Sequence, residues 1–200
     1  LRAARTELVL GQPFFGVLAL SVELRESDAI PTAATDGKEI LFNSAFMGTL
    51  SQEELIGVMA HEVLHCGNGH PWRRDERDMD GWNVACDLAI NPIIRAAGLT
   101  LPKGALFNRK TEGKSAEWIY DRLPTLQIQA PEAGVGTPSA GGDDVLDGDG
   151  DGSEAKAQIA EWAERVKQAA EAAQAYGKLP VWCERFIDQA TRPRIDWRAM

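Results

Sequence analysis

The feature that most constrains this chain is a pair of histidines four residues apart within a strongly apolar segment. Residues 58–71 read Val-Met-Ala-His-Glu-Val-Leu-His-Cys-Gly-Asn-Gly-His-Pro, and they contain the pattern His61-Glu62-x-x-His65. Residues four apart lie on one face of a helix, so the two imidazoles would converge on one point in space. The pattern therefore predicts a helix that presents two metal-ligating side chains together.

The residues around this pattern predict a well-defined buried helix. Ser51 and Glu54 form a capping box at its start, and Gly67 and Gly69 can end it just after the second histidine. One broad face of the helix is apolar: Leu55, Ile56, Met59, Ala60, Val63 and Leu64.

Two imidazoles on one helix face suit a zinc ion, and a catalytic zinc site needs a third protein ligand and an open position for water. Glu62 follows the first histidine, so its carboxylate can reach that water without ligating the metal. It would then act as general base and return the proton to the leaving amine. The alternative is that His61 and His65 are core histidines satisfied by hydrogen bonds.

A second predicted helix, residues 82–97, supplies the favoured third ligand. Asn83, Asp87 and Asn91 recur every four residues in it, opposite an apolar side. A polar stripe inside an apolar helix is costly unless it is hydrogen-bonded or faces a site. Asp87 is thus the candidate ligand, with the flanking amides expected to orient it. A hydrogen-bond network between helices is the alternative.

His70 is the competing third ligand. It stands five residues after His65, about 140° around a continuing helix, so it shares the face only if the helix breaks. A metzincin would carry its third histidine at position 71 after a glycine at 68, where this chain has Pro71 and Asn68. The sequence therefore favours Asp87 over His70 and argues against a metzincin.

The segments before the paired histidines predict one helix and two strands. Residues 1–10 read as a short helix, and the nearly continuous apolar run at 14–23 reads as a buried strand. Residues 39–43 follow a turn signal and read as a second strand. We expect this strand to form the sheet edge beside the metal helix, where it would pair with an extended peptide substrate. Residues 114–123 predict a further short helix capped by Ser115.

Charge and composition exclude several classes of function. The net charge is −9, yet residues 131–153 alone carry Glu132 and five aspartates without a basic residue. No basic patch indicates nucleic-acid binding, and no apolar run is long enough to cross a membrane. Three cysteines without C-x-x-C spacing and no visible signal peptide favour a reducing, cytoplasmic compartment.

The C-terminal part of the chain predicts an acidic linker and then helices. Residues 130–153 are rich in Gly and Asp and predict disorder. Residues 147–152 match the start of an EF-hand loop, but position twelve is Gln158 and no helix leads in, which favours a plain acidic linker. Residues 154–176 form an alanine-rich amphipathic pattern expected to dock on the metal domain, followed by short helices at 180–191 and from 194.

Several blocks of the chain together resemble one known family. They are His61-Glu62-Val-Leu-His65-x4-His70-Pro-x-x-Arg74, Trp82-Asn83-x-Ala85-x-Asp87-x-Ala-Ile-Asn91, Leu101-Pro102-x-Gly104, Lys114-Ser115-Ala116-Glu117-x-Ile-Tyr120 and Ile195-Asp196-Trp197. These blocks resemble the metallopeptidase-like domain that usually precedes a von Willebrand factor A-like (VWA-like) domain. The resemblance covers about residues 1–125 and the stretch at 195–197.

The resemblance implies a zincin-like fold, a zinc ion on His61 and His65, and Glu62 as general base. It also implies that a VWA-like domain would follow this chain and that AAA-type ATPases are partners. Both His70 and Asp87 belong to the shared blocks, so the resemblance leaves the third ligand open between them.

The expectation from sequence is therefore an α+β, zincin-like fold, with the HExxH helix and a second ligand helix packed on a small mixed sheet. We expect a metallopeptidase domain at residues 1–125, an acidic linker at 126–153 and a helical tail at 154–200. The expected function is zinc-dependent hydrolysis of peptide bonds in a peptide or protein substrate. The alternative is a non-catalytic metal-binding interaction module that works with a VWA-like domain and an AAA-type ATPase.

Overall fold

The structure is a computed structural model that describes residues 1–126, 144–177 and 181–191. Its helices are α1 (Arg2–Gly11), α2 (Pro13–Leu20), α3 (Ser44–Met47), α4 (Gln52–Gly67), α5 (Met79–Ala96), α6 (Ala116–Tyr120), α7 (Gly152–Ala175) and α8 (Val181–Thr191). Its strands are β1 (Glu23–Glu26), β2 (Ala33–Thr35) and β3 (Glu39–Phe42). The fold is thus α+β, with a small mixed sheet beside a larger set of helices.

The apolar run at residues 14–23, expected as a strand, forms the helix α2 instead. Pro13 occupies the first turn, where its fixed φ suits a helix and its missing N–H costs no hydrogen bond. A continuous apolar run fits a buried strand or a buried helix equally well. Here helices cover it: α2 packs against α1, α4 and α7, and Gly16 lies directly on the backbone of Val9. The strand prediction was wrong because the periodicity carried no information about these neighbours.

The sheet has the order β1-β3-β2, with β1 parallel and β2 antiparallel to β3. Residues 39–43 therefore supply the central strand, and the expectation that they form an edge was wrong. Strand order depends on long-range pairing that a single hairpin signal does not encode. Of the two edge strands it is β2 that packs against α4, so β2 is the edge beside the paired histidines.

Helix α4 begins and ends as the sequence predicted. Ser51 and Glu54 form the reciprocal capping box, and the last eleven residues of the helix, 57–67, are all buried. Beyond its C-terminus Gly69 adopts φ 66°, a left-handed conformation that glycine takes without strain. This turn reverses the chain into one short 3-10 turn, His70–Trp72, so that His70 returns toward α4.

The helical tail packs onto the same core as the metal helix. Trp162, Val166 and Ala169 of α7 are fully buried, and the Trp162 indole N–H donates to the carbonyl oxygen of Gly37 at 2.9 Å. Helix α6 is capped by Ser115, as expected. The predicted helix start after residue 194 lies outside the described residues, as do residues 127–143 of the predicted linker.

Part of the predicted disordered linker has a defined place in the fold. Asp147 pairs with Arg74, Asp149 lies 3.6 Å from the Lys38 ammonium, and Asp151 caps the first turn of α7. The prediction of disorder was wrong for residues 144–153, because other elements of the fold supply partners that composition does not reveal. These contacts engage carboxylates that an EF-hand calcium site would need as ligands. No helix among the described residues is both long and apolar enough to span a membrane.

Gly57 lies where α4 packs closely against the backbone of Thr100. A Cβ at this position would lie 1.8 Å from the backbone carbonyl oxygen of Thr100, which cannot move aside as a side chain would. We expect Gly57→Ala to lower the free energy of unfolding by about 3 kcal/mol, the upper end for overpacking. Urea denaturation measures the change.

The matched control is Gly11→Ala at the exposed end of α1, where nothing lies within 4 Å of the added methyl group. This variant should be neutral or slightly stabilising, since alanine has the higher helix propensity. Equal stability of the two variants would contradict the close packing of α4 on Thr100.

Candidate metal centre

Three side chains from two helices meet in the centre of the domain. Helix α4 supplies His61 and His65, whose Nε2 atoms lie 2.8 Å apart. Helix α5 supplies Asp87, whose Oδ1 lies 3.4 Å from His61 Nε2 and 3.3 Å from His65 Nε2. Ligands about 2.0–2.1 Å from a tetrahedral metal are separated from each other by roughly 3.3 Å. The triangle therefore has nearly the size of one face of a zinc coordination shell.

Asn91 fixes the orientation and tautomer of His61. Its amide nitrogen donates to the carbonyl oxygen of Leu106 at 3.1 Å, which leaves its oxygen facing His61 Nδ1 at 3.0 Å. His61 must then carry a proton on Nδ1 and direct Nε2 toward His65 and Asp87. This is the arrangement that metal-ligating histidines show.

His70 lies behind His65. The Nδ1 atoms of His65 and His70 are 3.0 Å apart, while His65 Nε2 faces His61 and Asp87. A second possible metal-binding group, His65, His70 and Cys86, uses this other side of His65. Burial raises the pKa of the Cys86 thiol well above its ordinary value, so the thiolate that a metal needs is disfavoured there. Asp87 by contrast carries its charge: burial opposes ionisation, but His61 and His65 lower its pKa.

The geometry of the imidazole pair fits a bound cation. The Nε2 atoms of His61 and His65 face each other across 2.8 Å, and both rings are fully buried. Burial opposes a charge on His61, but Asp87 outweighs this effect and raises the pKa of His61, while burial and the charge of His61 lower the pKa of His65 to about 4. In the metal-free protein one proton can therefore lie between the two nitrogens beside the Asp87 carboxylate, and a metal ion would take the place of this proton.

Glu62 is the least satisfied polar group of the centre. Its side chain is fully buried, and within the part of the chain that the structure describes neither carboxylate oxygen has a hydrogen-bond partner. Burial raises its pKa to about 8, with His61 opposing the shift and Asp87 adding to it. A buried carboxylate without partners costs several kcal/mol unless a cation, water or substrate group compensates it. Two carboxyl oxygens without partners among the described residues thus lie beside His61, where a general base would be placed, and in the metal-free protein the raised pKa keeps this group mainly protonated at neutral pH.

One expectation about neighbouring residues was wrong. Among the described residues the flanking amides make no hydrogen bond to Asp87: Asn91 holds His61, and Asn83 accepts a hydrogen bond from the backbone N–H of Val145 at 3.1 Å. The polar side chains Arg73, Arg74 and Tyr120 are each engaged by a carboxylate. They pair with Glu117, Asp147 and Asp78 respectively.

Sequence reasoning missed one residue of the centre, Asp144. It is 1% exposed, and its Oδ2 lies 3.9 Å from His61 Nε2, on a segment that composition assigned to the linker. No spacing relates Asp144 to the paired histidines, because the contact spans more than eighty residues of chain. A buried aspartate within a Gly/Asp-rich run looks like any of its exposed neighbours.

Comparison with known proteins agrees with this centre. The model of a family described as "putative metallopeptidase domain" matches residues 1–200. The chain belongs to this family. No curated protein matches the chain, and no solved structure matches it. The description of the family is consistent with the His/Asp group of this chain that could hold a metal.

The raised pKa of Glu62 predicts a pH-dependent stability in the metal-free protein. An acid with a pKa of about 8 in the folded state and about 4.3 in the unfolded state lets the unfolded chain release its proton first as the pH rises. The free energy of unfolding should therefore fall between about pH 5 and 8, by up to about 1.4 kcal/mol per pH unit, and stay level above that range.

Glu62→Gln removes this ionisation, so the decline should become markedly shallower in urea unfolding with a chelator present. Glu7→Gln removes the same charge from the exposed face of α1 and serves as the control. If Glu62→Gln and wild type lose stability in parallel across this range, Glu62 is not the buried acid described here.

Proposed function

We propose that this protein is a zinc-dependent peptidase with a zincin-like centre, in which His61, His65 and Asp87 ligate the metal and Glu62 is the general base. The observation that carries the proposal is the combination at one point of a ligand triangle and a neighbouring carboxylate with vacant oxygens. His70 is assigned to hold His65 rather than to ligate. Two imidazoles and one carboxylate form a ligand set typical of catalytic zinc sites.

The chain's own residues would divide the work of hydrolysis among them. Asn91 and His70 hold the two imidazoles with their Nε2 atoms toward the metal position. A zinc ion held by His61, His65 and Asp87 would supply Lewis acidity toward a water and the scissile carbonyl. Glu62 takes a proton from the attacking water and returns it to the leaving amine. The surrounding apolar core strengthens each of these interactions, because charges act more strongly in a low dielectric.

A second function, a non-catalytic metal-binding interaction module, is favoured by one observation. His61, Glu62 and His65 are 0% exposed and Asp87 is 2% exposed, so no substrate reaches them in this conformation. The metal would then only stabilise the fold. A following VWA-like domain and an AAA-type ATPase remain predictions from the resemblance, and they suit either function, as does a cytoplasmic location.

Metal content tests the site. We expect wild-type protein, purified without added metal and then offered zinc, to hold about one zinc ion per chain, as four-coordinate sites of this type do. His61→Ala and Asp87→Ala should lose most of it, because each leaves two protein ligands. His70→Ala should keep the metal with affinity lowered by roughly 10–100-fold, the usual cost of losing a residue that orients a ligand.

Mass spectrometry of the native protein and competition with a chromophoric chelator measure these changes. Full loss of zinc in His70→Ala together with retention in Asp87→Ala would assign the third ligand to His70. No zinc in the wild type would leave the histidines as core residues.

Catalysis is tested separately with Glu62→Gln, which keeps the size of the side chain but cannot accept the proton. A peptidase should lose at least about 100-fold in kcat against a mixture of fluorogenic peptides while retaining its zinc. Asp149→Asn, which removes an exposed carboxylate distant from the general base, is the control. Equal function of Glu62→Gln and wild type would favour the non-catalytic module.

A further inference from the structure

Residues 144–148, here called the strap, lie along the outer edge of β2. The backbone N–H of Thr35 donates to the carbonyl oxygen of Asp144, and the N–H of Leu146 donates to the carbonyl oxygen of Thr35, each at 2.9 Å. Thr35 and Val145 thereby form a parallel bridge. This is strand addition to a sheet edge, the mode by which an extended peptide commonly binds.

The side chains of the strap fill the space between this edge and the metal centre. Asp144 has its Oδ2 3.9 Å from His61 Nε2, so a further carboxylate lies beside the ligand triangle. Val145 is 1% exposed and packs with Trp82, Cys86 and Ala116 of α5 and α6. The backbone N–H of Val145 donates to the side-chain oxygen of Asn83 in α5. The strap therefore closes the centre from the side of β2.

The far end of the strap is held by contacts nearer the surface. Arg74 makes two hydrogen bonds to the Asp147 carboxylate, at 2.7 and 2.5 Å, with the Asp147 side chain 52% exposed. Gly148 donates its N–H to the Pro71 carbonyl at 2.8 Å and lies flat against the Trp72 indole. These contacts anchor the strap to the turn that follows α4.

A catalytic centre cannot be permanently closed in this way. The two backbone groups of Thr35 that would pair with a peptide are both used by the strap, and Asp144 brings its carboxylate to 3.9 Å from His61 Nε2 on the same side. A removable strap would reconcile three observations. The chain belongs to a metallopeptidase-like family, the Glu62 oxygens have no hydrogen-bond partner among the described residues, and the whole centre is buried.

We propose that the strap is an internal occupant of the substrate groove, with Asp144 taking the open metal position and residues 144–146 taking the β2 edge, so that this conformation is a latent form. This inference rests on the proposed function. Release of the Arg74–Asp147 anchor lets the strap leave, and an extended peptide then pairs with β2 in the same place. Exchange of a carboxylate for water or a substrate carbonyl at the metal breaks no covalent bond and needs no co-reactant.

The test compares four cobalt-substituted proteins: wild type, Arg74→Ala, Asp144→Asn and Lys38→Ala. Arg74→Ala removes the anchor without touching the metal centre, and Asp144→Asn removes the carboxylate from the open position. Lys38→Ala removes a different cation that faces the acidic run, 3.6 Å from Asp149, and is the control. Titration with acetohydroxamic acid, followed through the visible absorption of cobalt, measures access to the metal. Extraction by a chelator gives a second rate.

We expect Arg74→Ala and Asp144→Asn to bind acetohydroxamate about 3- to 5-fold more tightly than wild type, because apparent affinity scales with the open fraction and an exposed ion pair contributes at most about 1 kcal/mol to the closed form. Chelator extraction should accelerate by a similar factor in Arg74→Ala, and Lys38→Ala should stay within about 2-fold of wild type in both, since it leaves the open fraction unchanged. The cobalt spectrum of Asp144→Asn should differ from that of wild type before any ligand is added.

Different outcomes distinguish a failure of this inference from a failure of the proposed function on which it rests. Metal in all four proteins with equal acetohydroxamate affinity and equal extraction overturns the strap as an occupant and leaves the metal site standing. Loss of metal in Asp144→Asn, with Arg74→Ala unchanged, makes Asp144 a permanent structural ligand and also overturns the inference. No metal in any variant removes the proposed function and this inference together.

A readout that needs no metal guards against misfolded variants. Cys86 lies under Val145, whereas Cys183 lies in α8. Alkylation followed by peptide mapping should label Cys86 faster in metal-free Arg74→Ala than in wild type, with Cys183 unchanged. Equal labelling of Cys86 in both proteins contradicts release of the strap, and faster labelling of both cysteines marks general loosening of the fold, which would also contradict it.

Discussion

The structure depends on one electrostatic demand, the meeting of two imidazole nitrogens and a carboxylate in a buried position. His61 and His65 are held 2.8 Å apart by the rise of a single helix, and the helix itself is fixed by its capping box and by the close contact of Gly57 with Thr100. Neither ring can turn away, because Asn91 and His70 hold their Nδ1 atoms. The site is therefore pre-organised for a cation.

The second helix, α5, completes this centre with residues one turn apart that serve different purposes. Asp87 brings negative charge to the pair, Asn91 sets the tautomer of His61, and Asn83 receives the strap. A polar stripe in an apolar helix is expensive, and here each member of the stripe has a distinct partner or charge that offsets its burial. Deleting any one of them would disturb a different part of the centre.

Local signals were sufficient for much of this arrangement. The start of α4 follows from Ser51 and Glu54, and the approach of Asp87 to the histidines follows from the four-residue spacing of a polar stripe that must face something. Contacts between residues far apart in the chain could not be predicted from the sequence. The run at 14–23 lies among three helices, the strand at 39–43 is central rather than peripheral, and Asp144 reaches His61 from a region that looks like solvent-exposed linker. In each case the missing information was the identity of the neighbour, which a single sequence does not give.

The two functions considered for this protein share the same metal centre and differ only in access to it, so the strength of the closing contacts becomes decisive. The ligands are held by fully buried hydrogen bonds, whose loss would leave unsatisfied groups in the core and amount to local unfolding. The outer end of the strap is held by an ion pair with Arg74 26% and Asp147 52% exposed, and such pairs contribute at most about 1 kcal/mol and are weakened by salt. Opening of the strap would therefore begin at this outer end, and its completion would also give up the buried packing of Val145 and the hydrogen bond of its N–H to Asn83. In the proposed enzyme this exposed ion pair is the contact that a closed resting form would release first, whereas a module that only holds a metal has no need to release it.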